Sequence, residues 1–583
     1  MIQYAKINAE RLSVQALINC FIREYAIPHK SIELMPLTDQ PIAAFVDERL
    51  WFSATPIAIA IALDDTQRLM MAASSASTSN HYRLISPIAL QTSNCPLTVL
   101  TARQVLAHIT IFLAEPHESL RQHELAEQFT NSLENMTQFF AKPHTQATDF
   151  IGSEQNLITG HEYHPTPKAR IGFSANDIKN YSPELGVRFQ LFYFKVPKAL
   201  LWQYGDIADN NPMEQEGQYI LYPVHPWQAD YMLANERLNQ KLKDHAIEAI
   251  GRKGDAFYPT SSLRTLFHPE ASFFYKFSLH VRLTNCLRKN AAYELVNAVE
   301  ISHILSQIKD SRHPQITLLA EPASRSIAPH DRELFELFGC IYRQSIAKCD
   351  HGRSFVAAAL FSPNPQHSLL LNQWIFAIAG KNKTDYNDAA CQWFEAYITR
   401  LVPFILDYAI DYGVIFEPHC QNIIIRIDEN DLPDHIMIRD LEGTKIIKHY
   451  HHNYDFSHLS EEQEAALSYN QEQAIRRLIY CLFINNIAAA VHHIARADFA
   501  LEQILWQQLA DTLNKYRPSK DTNLMAYAFL DRIIDAKYWP AKANLMTRFH
   551  KKADKDADYI HFNNPLKALQ HDPSLYLFDQ TKA

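Results

Sequence analysis

The sequence predicts an α+β protein, and three observations lead there. Residues 4–36, 101–142, 331–412 and 458–516 carry apolar side chains at helical spacing. Residues 56–63, 81–90 and 273–284 read as strands, the last alternating almost without fault: Lys276, Ser278, His280, Arg282 and Thr284 on one parity, Phe277, Leu279, Val281 and Leu283 on the other. Finally, "NIIIRI" and "HIMIRDL" flank the turn-rich "DENDLPD", the pattern of a hairpin over 421–441.

At 583 residues the chain can form several domains with large cores, and its 47% hydrophobic and 20% charged residues are ordinary for a globular protein. The net charge of −9 argues against general attraction to nucleic acid or anionic membrane, so any anion binding must be local. The N-terminal stretch lacks a signal-peptide pattern, and no run reaches the roughly 18 apolar residues of a membrane span. Eight cysteines, none in a C-x-x-C pair, point to free thiols in a reducing compartment, hence the cytoplasm, and away from a structural zinc or iron–sulfur site.

Three regions follow in order. Residues 1–145 are an α+β, mainly helical region with strands around the small-residue loop "AASSASTSN". Residues 146–400 begin with turn signals and short strands up to about 300 and continue into long amphipathic helices from 331. Residues 401–583 hold the hairpin and further helices. No repeat or long low-complexity linker separates them, so the regions are expected to pack into one body.

Polar residues gather in five places. "GHEYHPTPKAR" sets out His161, His164, Lys168 and Arg170; Pro165 and Pro167 forbid a helix, so a loop facing an anion is easier to build than a metal site, and a purely structural loop remains open. "TSSLRTL" offers Ser261, Ser262, Arg264 and Thr265 in a turn where hydroxyls, backbone N–H groups and a guanidinium can surround phosphate oxygens. The hairpin makes a geometric prediction: 422 and 440 each lie nine residues from 431, which places Asn422 opposite Asp440, with His419, Gln421 and Glu417 or Glu442 at the open end. That pair resembles the way kinase-like folds hold Mg²⁺ against nucleotide phosphates with hard oxygen ligands. "YPVHPWQAD" reads as a rigid packed turn, and the segment carrying Lys542 and Arg548 reads as a solvated helix.

In this order, "GHxxHPxxKxRxGF", "HPWQ", "TSSLRT", the K-F-S strand, "EPHxQN", "RDLEGT" and the terminal "NPL" resemble the IucA/IucC family, the NRPS-independent siderophore synthetases, over residues 150–570. The resemblance implies a three-part cupped hand: residues 1–145 as thumb, 146–400 as fingers, and 401–583 as a palm with an FhuF-like helical region. It implies an ATP- and Mg²⁺-dependent ligase of the cytoplasm, a homodimer, that activates a citrate-like carboxylate as an acyl-adenylate. A polyamine or an N-hydroxy-acyl diamine then attacks, giving an amide. By matching motif, Ser262, Arg264, Thr265, Lys276, Glu417 and His419 would hold ATP. His161, Thr284, Asn285 and Arg288 would surround the carboxylate, with His164, Lys168 and Lys542 nearby, and Asp440, Asn422 and Glu417 would face the metal. Arg264, Lys276, Arg288 and His419 would carry the catalysis.

The physical logic suits that division. Bringing a carboxylate up to a phosphate joins two anions, which costs energy unless cations already stand between them. Arg288 can grip both carboxylate oxygens, while Lys276 is a point charge for phosphate. Two residues depart from the family pattern: Glu162 stands where the first motif has Pro, and Asn285 where some relatives have Gln. Two other functions compete. A kinase-like phosphotransferase would yield ADP; the other alternative is a non-enzymatic iron or siderophore binding protein or a siderophore–iron reductase, of which the reductase would need the cysteine cluster this sequence lacks.

Overall fold

A computed structural model describes residues 2–38, 40–50, 55–93, 95–114, 122–207, 215–283, 286–520, 523–552 and 556–568. Thr284 and Asn285, both expected to meet the carboxylate substrate, lie outside the described residues.

In the N-terminal region the helix Ile2–Phe21 packs on the helix Gln122–Ala141, beside a five-stranded antiparallel sheet. The strand Ile57–Ala62 explains how that sheet is held: Ile57, Ile59 and Ile61 enter a core shared with these helices, while Ala58 and Ala60 enter a smaller one on the other face. Both faces are buried, so the usual polar parity is replaced by small against large. The reading of 81–90 as a strand is too long; pairing covers Ala89–Thr92 and a single bridge at Leu84. The core holding the N-terminal helices continues into residues of the central region and reaches Leu545 and Phe549.

The central region is built on a nine-stranded sheet among the described residues. Thr265–Phe267 pairs with Phe273–Phe277 so that Thr265 faces Lys276, and Phe273–Phe277 pairs in turn with Cys340–Gln344. Two expectations are corrected here. Residues 340–344 and 354–356 are strands inside a span read as helix; a five-residue run such as "CIYRQ" is too short for periodicity to separate the two. The nine-residue strand also does not exist. Pairing ends at Phe277, where buried Ser278 pins a kink: its N–H donates to the Gly339 carbonyl, its hydroxyl donates to the Glu336 carbonyl, and it accepts from the Asn290 N–H. The chain then forms a second hairpin, Arg282–Leu283 against Cys286–Leu287, so Arg288 returns on the opposite arm beside Leu279 and Val281. The apolar parity is buried as expected, but Lys276 and Ser278 are buried too, and the polar side is no solvated face.

The C-terminal region packs the 26-residue helix Tyr386–Asp411 against Phe499–Tyr516 and the run Gln471–Ala495. That run is long and apolar enough to cross a membrane, yet 94% of its apolar window is buried inside the protein. Its middle, Ile479–Ile487, is a π-helix. The hairpin is present, Ile423–Ile427 against Pro433–Ile438, but its register differs by one: Ile423 faces Ile438, so Asn422 meets Arg439, whose N–H donates to the Asn422 carbonyl. A bulge between Arg426 and Ile427 and a tighter turn shift the centre. Asp440 follows in a left-handed conformation, φ 74°.

Candidate active site

Between the central and C-terminal regions there is a cavity of about 320 Å³. The described residues expected to hold ATP, the carboxylate or the metal all line it: His161, His164, Lys168, Ser262, Arg264, Thr265, Lys276, Arg288, Glu417, His419, Asn422, Asp440 and Lys542.

One wall is a buried network of charges. The Lys276 ammonium contacts the Asp440 carboxylate and lies 2.6 Å from Glu442 Oε2. Arg264 reaches Glu442 at 3.1 Å and the Asn290 amide oxygen at 2.5 Å. Arg343 bridges Asp440 at 3.0 Å and Glu321 at 2.8 Å. Burial alone would lower the Lys276 ammonium, but Asp440 and Glu442 hold it above its ordinary value. Burial likewise opposes ionisation of Glu442, yet Lys276 and Arg264 hold it down at about 2, and Asp440 lies well below the usual carboxylate range for the same kind of reason. The neighbouring Glu294 goes the other way, raised to about 7 by burial and by Glu442. The cations are therefore matched by carboxylates, and an incoming anion must exchange places with them.

The hydroxyl-rich turn sits above this wall. Leu263 takes a left-handed φ of 63°, Thr260 donates its N–H to the Thr265 carbonyl at 2.9 Å, and Ser262 Oγ accepts from the Thr265 N–H at 3.3 Å. Fully buried Glu154 fixes the turn from below, accepting from the Ser261 N–H at 2.9 Å and hydroxyl at 2.6 Å while it ion-pairs with Arg439. Nothing in the sequence marked Glu154 or Arg343, because their partners are far along the chain, and Arg439 stood out only as the first residue of "RDLEGT".

At the hairpin end Asn422 donates its amide to the Glu417 carbonyl at 3.0 Å, and Glu417 pairs with Arg477 at 3.0 Å. Gly443 lets this happen: a Cβ there would come within 2.7 Å of Glu417 Oε2. His419 is held below its ordinary value by burial. Asp440, Asn422 and Glu417 thus share the cavity despite the changed register. They are hard oxygen donors, and Mg²⁺ ordinarily needs only one or two protein carboxylates beside substrate phosphates, so the donor set fits that ion although no group of three metal-binding side chains occurs among the described residues.

The remaining side carries His161 and Arg288. His161 opens onto the cavity but is walled in by protein, and burial together with His164, His419 and Lys542 pushes its imidazole down to about 3. Arg288 lines the cavity and leaves its Nε buried without a hydrogen-bond partner. Two expectations change. Lys168 and Arg170 do not offer their charge to an anion: both bind buried Glu184, each at 2.6 Å, a counter-ion supplied from a short turn after residue 182. Lys542 and Arg548 are not on a solvated helix. They are buried, because the segment Asn544–Phe549 is docked by Glu24, which accepts from the Leu545 and Met546 N–H groups. Glu162, the departure in the first motif, turns towards His493.

Comparison with known proteins bears on this geometry. Residues 149–362 match the IucA / IucC family, and residues 391–557 match a family described as ferric iron reductase FhuF-like transporter. The chain is 26% identical over 501 residues to L-2,3-diaminopropanoate–citrate ligase of Staphylococcus aureus, covering 80% of this chain and 84% of that one. It is 28% identical over 491 residues to N(2)-citryl-N(6)-acetyl-N(6)-hydroxylysine synthase of Vibrio mimicus, covering 77% and 79%.

Residues 149–362 carry the IucA/IucC family pattern, and the citrate-ligase relatives agree with it.

The fold agrees. ATP-bound aerobactin synthetase IucA from Klebsiella pneumoniae superposes with a TM-score of 0.82 at 21% identity, over 95% of this chain and 99% of that one. The α+β class and the IucA/IucC architecture expected from the motifs are therefore present. Within the FhuF-like span, Cys391, Cys420 and Cys481 are free thiols.

Proposed function

We propose that this chain, a siderophore-biosynthesis ligase by family, activates a citrate-like carboxylate with ATP and joins it to an amine. The observation that carries this reading is the convergence of Lys276, Arg264 and Arg288 with Asp440, Asn422 and Glu417 in one cavity. A carboxylate oxygen attacks the α-phosphorus of ATP, the bond to the bridging oxygen breaks, and pyrophosphate leaves. The amine nitrogen then attacks the acyl carbon, loses a proton, and AMP departs as the amide forms.

Each residue has a physical task. Arg264, Lys276 and the turn Ser262–Thr265 meet the phosphates, their paired carboxylates giving way as the anion arrives. Arg288 grips the carboxylate, and His161, uncharged at neutral pH, can donate or accept a hydrogen bond there. His419 lies by the nucleotide. Mg²⁺, held by Asp440 with Asn422 or Glu417, would neutralise charge on the departing pyrophosphate. No protein nucleophile is needed; positioning and electrostatics do the work. Its setting is the cytoplasm, where ATP is available, and its assembly a homodimer, which light scattering checks.

The substrate pair is tested by AMP release over citrate, a citrate monoamide and 2-oxoglutarate, each with several polyamines and N-hydroxy-acyl diamines. Release that depends on both an acid and an amine supports the reading, and release indifferent to either opposes it.

A further inference from the structure

Among the described residues three carboxylates line the cavity: Glu162, Glu417 and Asp440. Asp440 is matched by Lys276 and Arg343, and Glu417 by Arg477. Glu162 meets only histidines. It lies 3.0 Å from His493 Nε2 and 3.6 Å from His81 Nε2.

His81 does not amount to a full counter-charge. His81 is 1% exposed, both its ring nitrogens lack a hydrogen-bond partner, and burial pushes it down to about 4. Burial favours protonation of Glu162, yet His493 and His81 hold its carboxyl below the usual range, so it is ionised at neutral pH. Among the described residues the cavity therefore has Lys276 already matched by carboxylates, the guanidinium of Arg288, and one negative charge, at Glu162, that no lysine or arginine offsets.

Unused hydrogen-bond acceptors line the same cavity. The Asn485 amide oxygen is buried without a partner and lines the cavity, as does the Tyr163 hydroxyl. Cys420 connects the two sides: its thiol donates to the Asn485 carbonyl at 2.9 Å, and it is close enough to feel the Glu162 charge. Asn485 belongs to the π-helix Ile479–Ile487, a geometry that recurs at functional positions because its wider turn displaces residues from the helical face. A carboxylate with two unpartnered oxygen acceptors nearby is a site for N–H donors carrying positive charge.

We propose that Glu162 and Asn485 form the subsite for a second, protonated ammonium group on the amine substrate, remote from the nitrogen that attacks. This inference rests on the acid–amine ligase reading and narrows it to diamines, polyamines and diamino acids. The attacking nitrogen must be neutral, so it draws no ion-pairing energy from a carboxylate. A distal ammonium does, and it would be repelled by the Arg288 guanidinium. One charge thus selects the substrate class and the direction in which it enters.

The test uses the full-length protein with ATP, Mg²⁺ and citrate, citrate monoamide or 2-oxoglutarate, and hydroxylamine as a small nucleophile that traps the activated acid as a hydroxamate. Putrescine and butylamine, equal in length and different by one ammonium, are compared as competitors of hydroxamate formation. The wild type is expected to bind putrescine on the order of tenfold better than butylamine or more. In Glu162→Gln that ratio falls towards one, and Glu162→Asp restores part of it. Asn485→Leu, which leaves the contact between Glu162 and His493 in place, lowers the ratio as well and serves if Glu162→Gln does not fold. Because the readout is a ratio within each protein, a general loss of activity does not mimic it. Equal competition in the wild type, or an unchanged ratio in Glu162→Gln, overturns the subsite and leaves the ligase reading standing. No hydroxamate from any of the three acids overturns the ligase reading, and the subsite with it.

Discussion

Lys276 and Glu442 lie 2.6 Å apart in the cavity wall, the ammonium 2% and the carboxylate 17% exposed. In the ligand-free chain the cation expected to meet phosphate is thus already satisfied, with Asp440 as its second partner. Removing one carboxylate leaves buried positive charge short of a counter-ion, and a bound anion can supply what is missing.

Glu442→Gln is accordingly expected to lower folding stability by about 1–3 kcal/mol. ATP should then raise the melting temperature of the variant by more than it raises that of the wild type, measured with EDTA present so that only the phosphate charge is compared. A smaller rise in the variant would mean that Glu442 itself supports nucleotide binding.

Lys276→Ala and Arg288→Ala should separate the two anions. The first is expected to raise KM for ATP more than for the acid, and the second to do the reverse, because Arg288 leaves a buried Nε unpartnered on the far arm of the second hairpin. Full kinetics against both substrates check this. Equal effects on both substrates in both variants contradict the division.

Glu154→Gln keeps the shape of the side chain but removes the charge that holds Arg439 and takes two hydrogen bonds from Ser261. Although Glu154 itself does not line the cavity, the turn it fixes does. The variant should therefore show a higher KM for ATP with little change in KM for the acid. Unaltered ATP dependence would show that the turn is rigid without it.

Stability should carry a pH signature from Glu502, which accepts from the Thr78 N–H at 2.8 Å and ties the small-residue loop to the C-terminal helices. Burial raises its carboxyl to about 7, against roughly 4.3 in the unfolded chain. An acid that binds its proton more tightly when folded stabilises fully below the lower value and loses that contribution as pH rises through the higher one. The melting temperature of Glu502→Gln relative to wild type should increase from pH 5 to pH 8. A difference that stays flat or falls would place the Glu502 titration elsewhere.

The sequence was most informative where short motifs carry local chemistry. The turn of Ser262, Arg264 and Thr265, the cation Lys276 and the hairpin ending at Asp440 were readable because each is defined by neighbours within a few residues. What escaped was set by distant partners. Glu184 takes up the charge of Lys168 and Arg170, Glu154 braces the phosphate turn, and Glu24 buries the segment after Lys542. None of these carboxylates has a pattern that differs from a surface residue, so only the fold distinguishes them. The kink at Ser278 was hidden for a related reason: alternation continued through it although pairing stopped, because Gly339, Glu336 and Asn290 meet Ser278 from other elements.

The central claim is that the cavity couples ATP cleavage to amide formation at the α-phosphate. Separation of nucleotides after incubation with Mg²⁺-ATP, a citrate-type acid and an amine tests it most directly. AMP and pyrophosphate, formed only when the acid is present, are the predicted products. ADP as the sole nucleotide product would contradict the account and make the enzyme a phosphotransferase.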